Sequence, residues 1–207
     1  MDSIGLESGP VTAARAIGGG TQNIMMRFTR GTRDFVLRRG PAHLRRTSND
    51  NLRREIRLAV ALRDTDVPHP RLIAACDDES VLDGSVFYLM EPVDGFNAGV
   101  ELPRLHASDP QIRYQMGLAM VDALAILATV DHESVGLADF GRPQGFLERQ
   151  VPRWLRELES YAQLENYRGH GLPTERVASW LTEHQPAIGP VGIMHGDFHI
   201  ANVMFGT

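Results

Sequence analysis

Apolar and polar positions change rhythm once along this chain. Val11 to Ile17, Thr21 to Thr29 and Arg33 to Arg39 are short extended runs, parted by Gly18-Gly19-Gly20 and by Arg30-Gly31-Thr32, which is the pattern of a strand meander. Asn49 to Asp64 then places Leu52, Ile56, Ala59 and Val60 on one helical stripe, with Ser48 positioned as its N-cap. Arg71 to Cys76 and Val86 to Glu91 read as two more strands joined by a turn at Asp83-Gly84. Three strands, a helix and two strands predict a small α+β lobe.

After Pro92 the period becomes helical. Asp109-Pro110 opens a segment in which Ile112, Met116, Ala119, Met120, Ala123 and Leu127 recur at three- and four-residue intervals, predicting one broad buried face. Two further helices are expected near Phe146 to Ala162, interrupted by Pro152, and near Thr174 to His184, introduced by Pro173. Residues 1–91 thus read as a small lobe and 96–207 as a helical one, with the hinge at 92–95 inside the linker Glu91-Pro92-Val93-Asp94-Gly95.

With 207 residues and 43% hydrophobic composition, the chain can bury a substantial core, and nothing in it suggests a disordered or fibrous protein. The N-terminal ten residues lack a basic and then apolar run, so no secretory signal is expected. The apolar stretch Met116 to Val130 is short for a bilayer span and contains Asp122. The single cysteine, Cys76, permits no internal disulfide, which favours a reducing cytoplasm.

Charge adds two features. All 21 basic residues are arginine, and the net charge of −5 hides an asymmetry: residues 27–71 hold twelve arginines against five acids, and residues 72–110 one against eight. A solvated surface explains this, and so does a basic stretch that faces phosphates. An acidic chain without a basic, aromatic-studded surface does not suggest a nucleic-acid partner.

The strongest chemical signal is Met194-His195-Gly196-Asp197-Phe198-His199-Ile200-Ala201-Asn202. An Asp two residues after a His, with an Asn five further on, suits a phosphotransferase loop in which Asp197 takes a hydroxyl proton and the Asn202 amide oxygen binds magnesium. His195 is expected to support the loop, while His199 could serve either structure or phosphate contact. A rival reading has His195, Asp197 and His199 ligating a transition metal, but no further cluster completes such a site. Gly18, Gly19 and Gly20, with Thr21, could bring backbone amides to phosphate oxygens or simply close a hairpin. Arg38 on the third strand and Glu55 on the following helix are candidates for a phosphate-holding cation and its orienting carboxylate. Asp139-Phe140-Gly141 imitates a magnesium-binding tripeptide but precedes the loop, where that role requires it to follow.

The Gly-rich turn, Val36-Leu37-Arg38, Glu55, Glu91-Pro92-Val93 and the loop ending at Asn202 together resemble the aminoglycoside phosphotransferase-like kinase family. Phe35 to Arg39, Gly136 to Gly141 and Phe146 to Val151 with Trp154 are most similar to its branch of kinase-like domains fused to acyl-CoA dehydrogenases. The resemblance implies an α+β, bilobal protein-kinase-like fold with ATP between the lobes and its adenine against the linker near Glu91 and Val93. It also implies Mg2+ and transfer of the γ-phosphoryl group to a small-molecule hydroxyl, on an aminoglycoside or, following the branch, a hydroxylated acyl-CoA. Arg38 stands where the family more often has lysine. The family's second magnesium-binding Asp follows the loop on a strand, and the sequence reaches Gly206-Thr207 without it. The expectation is therefore a C-terminally truncated kinase of impaired activity, the alternative being a non-catalytic module that binds nucleotide or a partner.

Overall fold

The computed structural model describes all residues except 2, 3, 7, 19–22, 170, 172 and 207. They form two compact units, Met1–Gly136 with Ile193–Thr207, and Leu137–Gly192. In the first, β1 (Val11–Ala16), β2 (Ile24–Arg30), β3 (Arg33–Arg39), β4 (Leu72–Cys76) and β5 (Phe87–Met90) build one sheet, with α1 (Ser48–Ala61) between β3 and β4. The strand order is β1-β2-β3-β5-β4 and every pairing is antiparallel. Helices α2 (Arg104–Ser108) and α3 (Pro110–Thr129) follow the linker.

Strand alternation divides the work of the sheet. Phe28, Phe35 and Leu89 are buried together on one face, where the two phenylalanine rings stack at 5.5 Å and Met1 and Leu6 pack against the cluster. On the other face Leu52 of α1 meets Val86 and Tyr88, flanked by Ile56, Leu72 and Met90. The pairs Met25 with Arg38, Arg27 with Val36, Val36 with Met90 and Arg38 with Tyr88 place these residues on the α1 side, because successive side chains of a strand point to opposite faces. The core of this layer and the polar groups discussed below therefore share one sheet face.

Most expected elements are present with shifted ends. β1 ends at Ala16, β2 begins at Ile24, and the turn residues Gly31, Asp83 and Gly84 all have positive φ. Ser48 is not the cap of α1: Thr47 occupies that position without a side-chain hydrogen bond, while the Ser48 hydroxyl accepts from the Arg45 N–H at 2.9 Å. That hydroxyl closes the turn before the helix instead. Val60 is exposed rather than part of the α1 stripe, and Leu62, just past the helix, is buried in its place.

Asp109 caps α3 as expected, accepting from the Gln111 and Ile112 N–H groups at 2.8 and 3.4 Å, with Pro110 in the first turn. The broad buried face is only partly realised. Met116 and Leu127 are buried, Ile112, Met120 and Ala123 are half-buried, and Ala119 is exposed along with Leu118 and Val121. By length and composition alone α3, five residues longer than the stretch Met116 to Val130, is long and apolar enough to cross a membrane. The second unit contains α4 (Phe146–Tyr161) and α5 (Thr174–Glu183). α4 runs through Pro152 rather than breaking there, forgoing the bond that residue would have donated to Glu148.

The return of the chain to the sheet unit is fixed beside the linker. Phe96 and Phe205 form an isolated antiparallel bridge with both N–H···O bonds at 2.9 Å. A Cβ on Gly95 would lie 2.0 Å from the Phe205 carbonyl oxygen, so the approach requires glycine. Gly95→Ala should lower stability by about 1–3 kcal/mol in urea unfolding. Gly117→Ala in α3, where a Cβ meets nothing within 4 Å, should instead stabilise by up to about 1 kcal/mol. Equal effects of the two substitutions would contradict this packing.

Candidate functional site

A cavity of about 790 Å³ opens on the α1 side of the sheet, lined by Met25, Val36, Leu72, Met90 and Val93 and by the polar groups of Arg38, Glu55, Glu91, His195, Asp197 and Asn202. An apolar slot with a few convergent polar groups is the usual form of a small-ligand site. Its polar groups come from three places: the sheet and α1, the linker, and the loop at 194–202.

The loop is held by its own side chains. Gly196, with φ of 82°, turns the backbone, and the His195 Nδ1 accepts from the Asp197 N–H at 3.3 Å. His195 also meets the Phe198 ring edge-on at 5.2 Å. His199 caps the 3₁₀ turn Ile200–Asn202 by accepting from the Ala201 N–H through Nδ1. In a neutral imidazole that assignment leaves the proton on Nε2, which lies 3.6 Å from Asp197 Oδ1. His199 is thus both a cap and a neighbour of the carboxylate.

Asn202 sets the orientation of Asp197. Its Nδ2 donates to the Asp197 backbone oxygen and to Oδ2, each at 2.9 Å. Both acceptors demand the amino end of the amide, so the amide oxygen is the end left for another partner. The Asp197 side chain is 77% exposed, open to an incoming hydroxyl. Among the described residues no group of three or more His, Cys, Asp and Glu is placed to hold a metal ion. The oxygen of Asn202 is a hard donor of the kind that suits a magnesium ion already carrying phosphate and water ligands.

Arg38 and Glu55 meet as a bidentate pair: Nε donates to Oε2 at 2.8 Å and Nη2 to Oε1 at 3.0 Å. Arg38 Nη1 also approaches Met25 Sδ at 3.6 Å. Burial disfavours the Arg38 charge, but the Glu55 hydrogen bond and charge outweigh it, so its pKa is raised. The linker carboxylate of Glu91 pairs with Arg33 at 2.9 Å, and its N–H donates to the Arg71 carbonyl, while Val93 lines the cavity. Gly18 is described as an exposed residue after β1, where a Cβ would touch nothing within 4 Å. Gly19, Gly20 and Thr21 lie outside the described residues. Asp139-Phe140-Gly141 falls in a turn of the second unit.

Sequence reading missed the clasp that supports the loop. Asn97 Nδ2 donates to the Ala201 carbonyl at 2.7 Å, and Asn97 Oδ1 accepts from the Gly99 N–H at 2.8 Å. A Cβ on Gly99 would stand 2.7 Å from that of Ala201. The spacing Gly95-Phe96-Asn97-Ala98-Gly99 was the available signal, two glycines flanking an amide, but it names no partner.

The family model described as "Phosphotransferase enzyme family" (APH) matches residues 13–207. The chain belongs to this family. Among curated proteins, mouse acyl-CoA dehydrogenase family member 10 is 32% identical over 84% of this chain and 15% of its own length. The probable acyl-CoA dehydrogenase IBR3 of Arabidopsis thaliana is 31% identical over 83% of this chain and 21% of its own length. Chicken acyl-CoA dehydrogenase family member 11 is 30% identical over 93% of this chain and 24% of its own. This phosphotransferase-family chain therefore spans less than a quarter of each of these relatives. A crystal structure of a candidate aminoglycoside phosphotransferase from Ralstonia eutropha JMP134 superposes with a TM-score of 0.74 at 30% identity, covering 96% of this chain and 56% of that one. The fold is accordingly the kinase-like fold of aminoglycoside phosphotransferases.

If the clasp orders the loop, Asn97→Ala should accelerate amide exchange at Ala201 and Asn202 by roughly five-fold, the effect of losing one net hydrogen bond of about 1 kcal/mol. Exchange unchanged there would assign the ordering to the Phe96 bridge alone.

Proposed function

We propose that this chain carries out ATP-dependent transfer of the γ-phosphoryl group to a hydroxyl of a small molecule. The supporting observation is the Asn202 amide clamped across the backbone and carboxylate of Asp197, on the wall of the same cavity that holds the Arg38–Glu55 pair. An ionised Asp197 accepts the acceptor's hydroxyl proton as the oxygen attacks the γ-phosphorus, and ADP leaves with the bridging oxygen's electron pair. Arg38, held as a planar fork by Glu55, supplies fixed positive charge to the phosphates. Bound magnesium would neutralise phosphate charge, and the amide oxygen of Asn202 is the group to hold it.

The apolar part of the cavity suits a nucleobase. Because the Glu91 N–H already donates to Arg71 and Pro92 has none, a base lying along the linker takes a hydrogen bond from Val93 or beyond. The names of the relatives, acyl-CoA dehydrogenase family members, support a hydroxylated acyl-CoA-like acceptor over an aminoglycoside. A cytoplasmic location, with neither nucleic acid nor membrane as partner, accords with the acidic composition and single cysteine.

With radiolabelled ATP and hydroxyacyl-CoA or aminoglycoside acceptors, Asp197→Asn should reduce phosphoryl transfer by roughly 100- to 10,000-fold while leaving Mg·ATP affinity within a few-fold, as expected for loss of a general base. Undiminished transfer in that variant would remove Asp197 from this role. Nucleotide binding without transfer to any hydroxyl, in variant and parent alike, would favour a binding module.

A further inference from the structure

The Arg38–Glu55 pair has a third member. Arg38 and Tyr88 are opposite one another on β3 and β5, so both side chains leave the sheet on the face covered by α1. Tyr88 is 8% exposed, and a phenol so placed needs a hydrogen-bond partner. It donates to Glu55 Oε2 at 3.0 Å, the same oxygen that accepts Arg38 Nε at 2.8 Å. Glu55 Oε1 accepts the other prong of the fork at 3.0 Å.

We infer that Tyr88 is a positioning residue for nucleotide binding, locking the plane of the Glu55 carboxylate and through it the orientation of the Arg38 guanidinium on the cavity wall. The inference rests on the phosphotransferase reading above, in which Arg38 serves phosphate. Its physical basis is the difference between a fork and a point charge. A guanidinium bound edge-on to a carboxylate shares that carboxylate's plane, so any rotation of Glu55 about its terminal torsion carries the Arg38 fork with it. That torsion has a broad, soft profile. A hydroxyl donor fixed to the adjacent strand narrows it, and its partly buried 3.0 Å bond has a charged acceptor, which makes it stronger than a neutral pair. Tyr88 is also a wall residue of the cavity, along with Arg38, Glu55 and Asp197. Its ring accordingly both packs against Leu52 and presents its hydroxyl at the pair. The phenol stays protonated as this role requires: burial, and then the negative charge of Glu55, raise its pKa.

The test is a double-mutant cycle read by calorimetric Mg·ATP binding to the full chain. Tyr88→Phe keeps the ring and removes only the donor, and it should weaken nucleotide binding by roughly three- to ten-fold, the range of one net hydrogen bond to a charged group. In an Arg38→Met background the same change should have no further effect, because there is no fork left to orient. A merely structural tyrosine would lower the melting temperature equally in both backgrounds without moving the affinity ratio. Affinity within two-fold of the parent in Tyr88→Phe, or an undiminished loss in the Arg38→Met background, overturns the inference. If Arg38→Met itself leaves Mg·ATP affinity unchanged, the fault lies instead with the assignment of Arg38 to phosphate.

Discussion

The structure depends on one close approach of backbone to backbone. Gly95 leaves room for the Phe205 carbonyl where any Cβ would collide, and the Phe96–Phe205 bridge closes beside it. That contact brings the chain after residue 193 against the linker that leaves the sheet. Every functional group of the loop is placed relative to this point. Asn97 and Gly99 extend the contact to Ala201, the turn Ile200–Asn202 carries Asn202 inward, and Asn202 in turn fixes Asp197. A carboxylate so exposed would otherwise sample many rotamers, and the two bonds from one amide reduce that freedom before any ligand arrives. Pre-organisation of this kind matters more than covalent participation in phosphoryl transfer, where positioning and charge do most of the work.

The opposite wall is ordered by a different means. A chain with arginine as its only strong base has no flexible ammonium to offer a ligand, and the guanidinium on this wall comes with a geometric demand. Glu55 meets that demand with both oxygens, and the surrounding sheet supplies the tyrosine that keeps Glu55 in plane. The pair is partly buried, with side chains 28% and 32% exposed, so its contribution is better viewed as alignment of α1 on the sheet than as a large gain in stability. Elsewhere the arginines of the basic stretch are largely engaged at the surface: Arg27 with Asp34, Arg33 with Glu91, and Arg53 with Asp50, Asp77 and Glu79. Part of the charge asymmetry between residues 27–71 and 72–110 is therefore met by pairing across the two segments, through Arg33 with Glu91, Arg39 with Asp83, and Arg53 with Asp77 and Glu79. Asp34 shows the effect locally, its carboxyl held below the usual range by the Thr29 hydroxyl and then by Arg27.

What the sequence made legible was periodicity and short-range chemistry. Strand alternation in β2 and β3, the Asp109-Pro110 start of α3 and the histidine-aspartate-asparagine spacing of the loop all express interactions among residues within a few positions of each other. What it hid was long-range. Ser48 has the identity of a cap, yet the turn from Arg45 competes for its hydroxyl. Val60 has the spacing of a core residue, but the helix ends before that face can be covered. The Asn97 clasp and the Tyr88 hydroxyl join residues 104 and 33 positions apart, and nothing in composition marks such partners. The apolar circumference of α3 misled in another way, since an evenly greasy helix has no preferred face for a periodicity argument to find.

In the proposed reaction Asn202 meets a metal-bound triphosphate beside Asp197. Paramagnetic broadening tests that most directly: Mn2+ with a non-hydrolysable ATP analogue, set against a Mg2+ reference, should erase the Asn202 side-chain amide signals and the backbone amides of Asp197 and His199. The Asn202→Leu variant should bind the ion more weakly and retain those backbone signals. If the analogue and Mn2+ bind while the Asn202 signals stay sharp, the loop does not hold the metal and this site is not the seat of phosphoryl transfer.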